Sequence, residues 1–134
     1  MKELTLQAVI ENMPQLMLWL DSQLEAMDCP ARAQVQLDIA ADELFSNIAN
    51  YAYEGSVGDV TVCLEKLDPP AIRLTFVDQG KPYDPLQTED PNTTLSAEQR
   101  QPGGLGIYMV KKSMDAMTYQ YQDRKNILTI LKKL

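Results

Sequence analysis

The order of apolar patterns along this chain predicts an α+β fold, a two-layer α/β sandwich with the helices on one face of a mixed, largely antiparallel sheet. Three observations carry that prediction. Alternating apolar residues mark one strand at the start, a pair in the middle and a pair at the end. Two stripes at helical spacing follow the first strand, and a third follows a long polar loop. With 134 residues, 45% of them hydrophobic, the chain has enough material for one compact core and is read as a single domain, residues 1–134, without repeat or linker.

The first strand is expected over Lys2 to Ile10, where Leu4, Leu6 and Ala8 share one side. Asn12 is expected to cap the next helix, with Pro14 tolerated in its first turn and Leu16, Trp19, Leu20, Leu24 and Met27 as its apolar stripe. Met13, Met17 and Trp19 are read as core, with a subunit or partner surface, such as that of a homodimer, as the alternative. A second helix, from about Ala31 to Tyr53, buries Leu37, Ala41, Leu44, Ile48 and Ala52. After a turn over Glu54 to Asp59, Val60, Val62 and Leu64 form a strand, as do Ile72, Leu74 and Phe76 beyond Asp68-Pro69-Pro70. Ile107, Val110 and Met114 set the last helix, and the tail pairs Met117, Tyr119 and Tyr121 with Ile127, Leu128, Ile130 and Leu131 across a turn placed at Asp123 to Asn126.

Charge narrows the function. A net charge of −7 with no His argues against direct nucleic-acid binding, which needs a basic face, and suits a basic protein partner. The longest apolar run, Leu16 to Leu20, is far short of a membrane span, and Lys2, Glu3 and Glu11 stand where a signal peptide needs an apolar core. A cytoplasmic protein without membrane association is expected. Cys29 and Cys63 lack metal-ligand neighbours and read as free or buried thiols. The absence of His removes His-based catalysis and self-phosphorylation on His.

The stretch from Phe76 to Val110 carries the chemistry. A strand runs into Asp78-Gln79-Gly80-Lys81-Pro82-Tyr83-Asp84-Pro85, and a polar segment then leads to Gly103-Gly104-Leu105-Gly106 at a helix start. Glycines before a helix let phosphate oxygens reach unpaired backbone N–H groups at its positive end. Neither a P-loop ending in Gly-Lys-Ser/Thr nor a GxGxxG directly after a strand is present. The long segment between, residues 87–102, reads as a lid that closes over a phosphate-bearing ligand. On the second helix Glu43 and Asn47 are four apart, hence about 40° from one another, at the margin of the apolar stripe. Asn47 offers a hard oxygen of the kind Mg²⁺ prefers, and Glu43 can take a proton or orient water beside it. Asp38 and Asp42, on the opposite margin, read as surface.

Three boxes in this order, Glu43 with Asn47, Asp78 with Gly80, and Gly104 with Gly106, resemble the GHKL ATPase superfamily and its Bergerat ATP-binding fold. The closer resemblance is to the stand-alone anti-sigma factor serine/threonine kinases, since Asp-Gln-Gly-Lys-Pro-Tyr-Asp-Pro is similar to their DxGxPFDP and Gly-Gly-Leu-Gly-Ile-Tyr-Met-Val to their GGLGLxLV. The resemblance implies ATP or ADP with Mg²⁺ as cofactors, Glu43 as catalytic base and Asn47 as Mg²⁺ ligand. It further implies Asp78 as acceptor for the adenine amino group, Gly80 for close approach of the base, and Gly104, Leu105 and Gly106 at the phosphates. Thr129 falls where the superfamily often has a threonine near adenine, and Arg100 where a lid cation meets the γ-phosphate. The chain departs from the family at Tyr51, where His is common. The activity implied is phosphoryl transfer to an anti-anti-sigma (STAS) protein together with sequestration of a sigma factor, and the alternative is a nucleotide-dependent switching module without transfer.

Overall fold

The structure, a computed structural model, describes residues 1–87 and 104–134. Strands form where apolar residues alternate: β1 (Lys2–Gln7), β2 (Asp59–Leu67), β3 (Ala71–Asp78), β4 (Ala116–Gln122) and β5 (Lys125–Lys133). They make one sheet in the order β1-β2-β3-β5-β4. Every strand pairing among the described residues is antiparallel, so the expected mixed component is not found there. This order puts β3 at the centre, with ladder hydrogen bonds on both edges, and its last residue, Asp78, opposite Val60 and Asn126. Central pairing fixes the end of β3 more firmly than an edge strand could be fixed.

Helices α1 (Met13–Ala26), α2 (Ala31–Tyr51) and α3 (Gly104–Ser113) cover one face of that sheet. Leu16, Leu20 and Leu24 of α1 and Leu37, Leu44 and Phe45 of α2 are fully buried against Val62, Leu64, Leu74, Phe76 and Ile130. Each such Leu, Ile or Phe contributes about 1.5–3 kcal/mol by leaving water. On the other face Thr5 bonds Thr61 at 2.9 Å, Thr75 bonds Thr129 at 3.2 Å, and Arg73 pairs with Glu65 at 2.6 Å, among apolar Val77, Ile127 and Leu131. Among the described residues no helix is long and apolar enough to cross a membrane.

Some local expectations change. β1 ends at Gln7 and a short 3₁₀ turn, Ile10–Asn12, precedes α1; Asn12 makes no side-chain cap, and its amide instead donates to the Gln7 carbonyl at 2.9 Å. The final hairpin turns on Asp123 and Arg124, both in the left-handed region at φ 54° and 62°, so Asn126 lies inside β5 rather than in the turn. Two left-handed residues in a two-residue turn match the twist of the flanking strands.

Asp38 also departs from its surface reading. It faces Asp21 across the α1–α2 contact, and its buried Oδ1 has no hydrogen-bond partner as an ionised group. Two carboxyl groups can bond only by sharing a proton. The Asp38 carboxyl is accordingly pushed up to about 7, by burial first and then by the bond to and the charge of Asp21. Gln34 holds Asp21 from the other side at 3.1 Å. The folded chain grips this proton more tightly than the unfolded chain, whose Asp titrates near 4, so stability from the pair is present at acid pH and declines as pH rises from about 4 to about 7. Thermal unfolding midpoints of the parent and Asp38→Asn should converge at the acid end of that window and separate toward neutral pH, with the variant higher. Parallel curves would contradict the shared proton.

Candidate functional site

The last carbonyls of a helix lack intrahelical partners. At α2 the carbonyl of Ala52 is satisfied by the backbone N–H of Lys81 at 3.0 Å, donated from the turn that follows β3. The turn reaches the helix because residue 80 has no side chain: a Cβ on Gly80 would stand 2.3 Å from the Ala52 oxygen and 2.6 Å from its Cβ. Tyr53 secures the same junction, its hydroxyl accepting from the Gln79 N–H at 2.7 Å and donating to the Asp59 carbonyl at 2.6 Å. The sequence thus ties the end of α2 to the end of β3 through Gly80.

Asp78 stands at that end, only 5% exposed. Its Oδ1 accepts from the Gly80 N–H and from the Asn126 amide, each at 2.9 Å. Burial raises the Asp78 pKa, while the Asn126 and Gly80 bonds oppose the rise. Asn126, itself 6% exposed, also donates to the Lys81 carbonyl at 2.9 Å and accepts from the Tyr83 N–H at 3.2 Å and from the Tyr119 hydroxyl. No sequence motif pointed to Asn126. Its signal was present in the alternation of β5, where Asn126, Leu128 and Ile130 occupy one face and a polar residue at an inward position requires a partner.

A cavity opens between this network and α2. Its walls are largely apolar, from Leu44, Ile48, Ala52, Pro85 and Leu128, with Asp78, Asn47 and the hydroxyl-bearing Tyr51 and Tyr119 converging on it. Apolar walls with a few placed polar groups are the usual form of a small-molecule site. Asn47 lies one turn from Glu43 on α2 and favours its charged form. The Glu43 pKa is raised, first by burial and then by the charge of Asp42, against the lowering effect of Asn47. Asp42 itself is exposed and bonds Ser46 at 3.2 Å. The first turn of α3 presses on Glu43, where a Cβ at Gly106 would stand 2.1 Å from the carboxyl carbon.

The structure therefore brings Glu43, Asn47, Asp78, Gly80 and Gly106 to one side of the sheet, with Gly104 and Leu105 opening α3 there. It does not bring Thr129. That side chain is on the opposite face of β5, bonded to Thr75, because strand alternation sends residues 126, 128 and 130 toward the cavity and 129 away. The position beside Asp78 belongs to Asn126. Arg100 and nearly all of the expected lid lie outside the described residues.

The two close glycines have different neighbours and should respond differently to a methyl group. At Gly80 the obstacle is backbone, so Gly80→Ala should lose about 1–3 kcal/mol by overpacking. At Gly106 it is the far end of a side chain that can swing, so Gly106→Ala should fold with little loss while displacing the Glu43 carboxylate. Denaturant unfolding of the two variants checks this, and equal losses would contradict it.

A family model described as the histidine kinase-like ATPase domain matches residues 6–132. The Serine/threonine-protein kinase BtrW of Bordetella bronchiseptica is 33% identical over 101 residues, spanning 75% of this chain and 70% of that protein. A crystal structure of the RsbU and RsbW domains of a Mycobacterium tuberculosis protein superposes over 100% of this chain with a TM-score of 0.66 at 12% identity; this chain spans 33% of that one, about a third of its length. The mycobacterial sensor histidine kinase MprB matches over 75% of this chain and 76% of that structure, with a TM-score of 0.51 at 22% identity. The structural likenesses speak for the fold, and the sequence matches decide the family. The chain belongs to the histidine kinase-like ATPase family, on the branch of the anti-sigma factor serine/threonine kinases that its three ordered boxes resemble.

Proposed function

We propose that this chain binds ATP with Mg²⁺ in the cavity between α2 and the end of β3 and transfers the γ-phosphoryl group to a Ser or Thr of an anti-anti-sigma (STAS) partner in the cytoplasm, with a sigma factor as the protein it otherwise sequesters. The observation that carries the reading is Asp78. Its Oδ1 is saturated by Gly80 and Asn126, while Oδ2 has no hydrogen-bond partner among the described residues and stands at a cavity with apolar walls. An ionised carboxylate is acceptor-only, which suits the 6-amino edge of adenine.

The other residues fit an ATP–magnesium complex. Gly80 lets the turn after Asp78 close against Ala52 beside the base pocket, and α3 begins with Gly104, Leu105 and Gly106, whose backbone N–H groups suit phosphate oxygens at the positive end of a helix. Asn47 carries a carboxamide oxygen at the cavity. Such a donor set suits Mg²⁺, which keeps its waters and takes most remaining oxygens from phosphate. When bound, the ion neutralises phosphate charge. Glu43 is placed to accept the proton of the attacking hydroxyl, and its raised pKa strengthens it as a base. The net charge of −7 suits a partner with a basic docking surface.

One observation favours the alternative, a nucleotide-dependent switching module without transfer. Tyr51, where the family commonly has His, is 48% exposed at the cavity mouth on the same helix as Asn47. The two readings separate in one set of assays with labelled ATP and candidate partners. Asp78→Asn puts an amide donor at the adenine edge and should weaken Mg-ATP binding by about 1–3 kcal/mol; unchanged affinity would reject the adenine assignment. Glu43→Gln should keep nucleotide binding while transfer falls by about two or more orders of magnitude. Unchanged transfer would reject Glu43 as base, and no transfer by the parent to any candidate would favour the switch.

A further inference from the structure

Asn126 uses its whole hydrogen-bonding capacity inside the protein. Nδ2 meets Asp78 Oδ1 and the Lys81 carbonyl at 2.9 Å and the Gly80 carbonyl at 3.4 Å. Oδ1 accepts from the Tyr83 backbone N–H at 3.2 Å and from the Tyr119 hydroxyl. A backbone N–H can only donate and a carbonyl can only accept, so the amide has one possible orientation. It is locked with its donors toward Asp78. Nothing is left over for a ligand, so any effect of Asn126 on a ligand passes through the groups it bonds, of which Asp78 is the one carboxylate.

We propose that Asn126 is the positioning residue of the base pocket: it occupies Oδ1 of Asp78 and so presents Oδ2 as an acceptor-only edge that selects a 6-amino purine over a 6-oxo purine. The inference rests on the nucleotide reading above and adds the residue that sets its specificity. A protonated Asp78 carries an O–H that donates to the 6-oxo oxygen of guanine, an edge that a carboxylate rejects. The choice of base therefore follows the protonation of Asp78, which burial favours and the Asn126 and Gly80 donors oppose. Asn126 supplies the side-chain part of that opposition. The charged and titratable groups around the pair are Tyr51 of α2, Tyr53 beyond it, Asp59 of β2, Lys81 with its partner Glu54, Tyr83 and Asp84 of the following turn, Tyr119 and Tyr121 of β4 and Lys125 of β5. Substitutions at 126 leave these residues unchanged, although Tyr119 and Lys81 lose a bond to its side chain.

Two variants test this, with fluorescent ATP and GTP analogues as probes and thermal unfolding as the control for folding. Asn126→Ala removes the donor without adding charge. Its preference for ATP over GTP should shrink by about tenfold, the scale of one mispaired polar group, and the acid limb of its ATP affinity should move to higher pH than in the parent. Asn126→Asp sets two carboxyl groups together, which must share a proton to bond. Its ATP affinity should rise on acidification, opposite in sign to the parent, because a protonated Asp at 126 again donates to Asp78. A purely structural role would lower stability while leaving the base preference and the pH profile of the folded fraction unchanged, and that result overturns the proposal. If Asn126→Asp does not fold, Asn126→Ala decides alone. A parent that binds neither nucleotide sinks the nucleotide reading and this inference with it, whereas a binding parent with unaltered variants sinks only the inference.

Discussion

The site depends on one close approach. The carbonyl at the end of α2 needs a donor, the Lys81 N–H provides it, and only a glycine at position 80 lets the turn come near enough. That bond satisfies a helix-end carbonyl at half-buried Ala52, so the junction holds the turn as it holds the helix. Because β3 is the central strand, fixing its end to α2 sets Asp78 relative to Asn47 and Glu43, which lie one and two turns back along the same helix. The geometry of the cavity follows from that junction. The contact between Gly106 and Glu43 then sets α3 against the same helix.

Two carboxyl groups in this domain show how context divides one chemistry. Asp38 meets another carboxylate and is raised to about 7 by burial and by that neighbour, so it serves the packing of α1 on α2 as a shared proton. Asp78 is the more buried residue, yet it meets two donors, which favour the charged form against burial. The first pair stabilises a helix contact at acid pH. The second holds an acceptor ready at the mouth of a cavity.

Much of the fold was legible in the chain. Alternation in Val60, Val62 and Leu64, and again in Ile72, Leu74 and Phe76, marked a strand pair, and the stripe of α2 placed Glu43 and Asn47 at its edge. The glycines at 80 and 106 were legible as close approaches, although what approaches them was not: Ala52 and Glu43 come from a distant stretch of sequence. Asn126 was missed because an Asn after Asp123-Arg124-Lys125 looks like turn chemistry, and only the two-residue turn, which starts β5 at Lys125, turns its side chain inward. Thr129 is outside the site because strand alternation puts it on the face opposite Asn126, where it bonds Thr75. Asp38 was misread because its carboxylate partner, Asp21, is on another helix, and local sequence carries no record of a cross-helix pair. These errors share a cause, since each depends on which face or neighbour tertiary packing selects.

The central claim is that nucleotide binds on the helix-covered side of the sheet, at Asp78, and the most direct test is chemical-shift mapping of the isotope-labelled chain titrated with Mg-ADP. The account expects the largest changes at the Gly80 and Gly106 backbone amides and at the side-chain amides of Asn126 and Asn47, with Thr5, Thr61, Thr75 and Thr129 on the open face unaffected. Shifts concentrated on that threonine-lined face, with Gly80 and Asn126 unmoved, would contradict it.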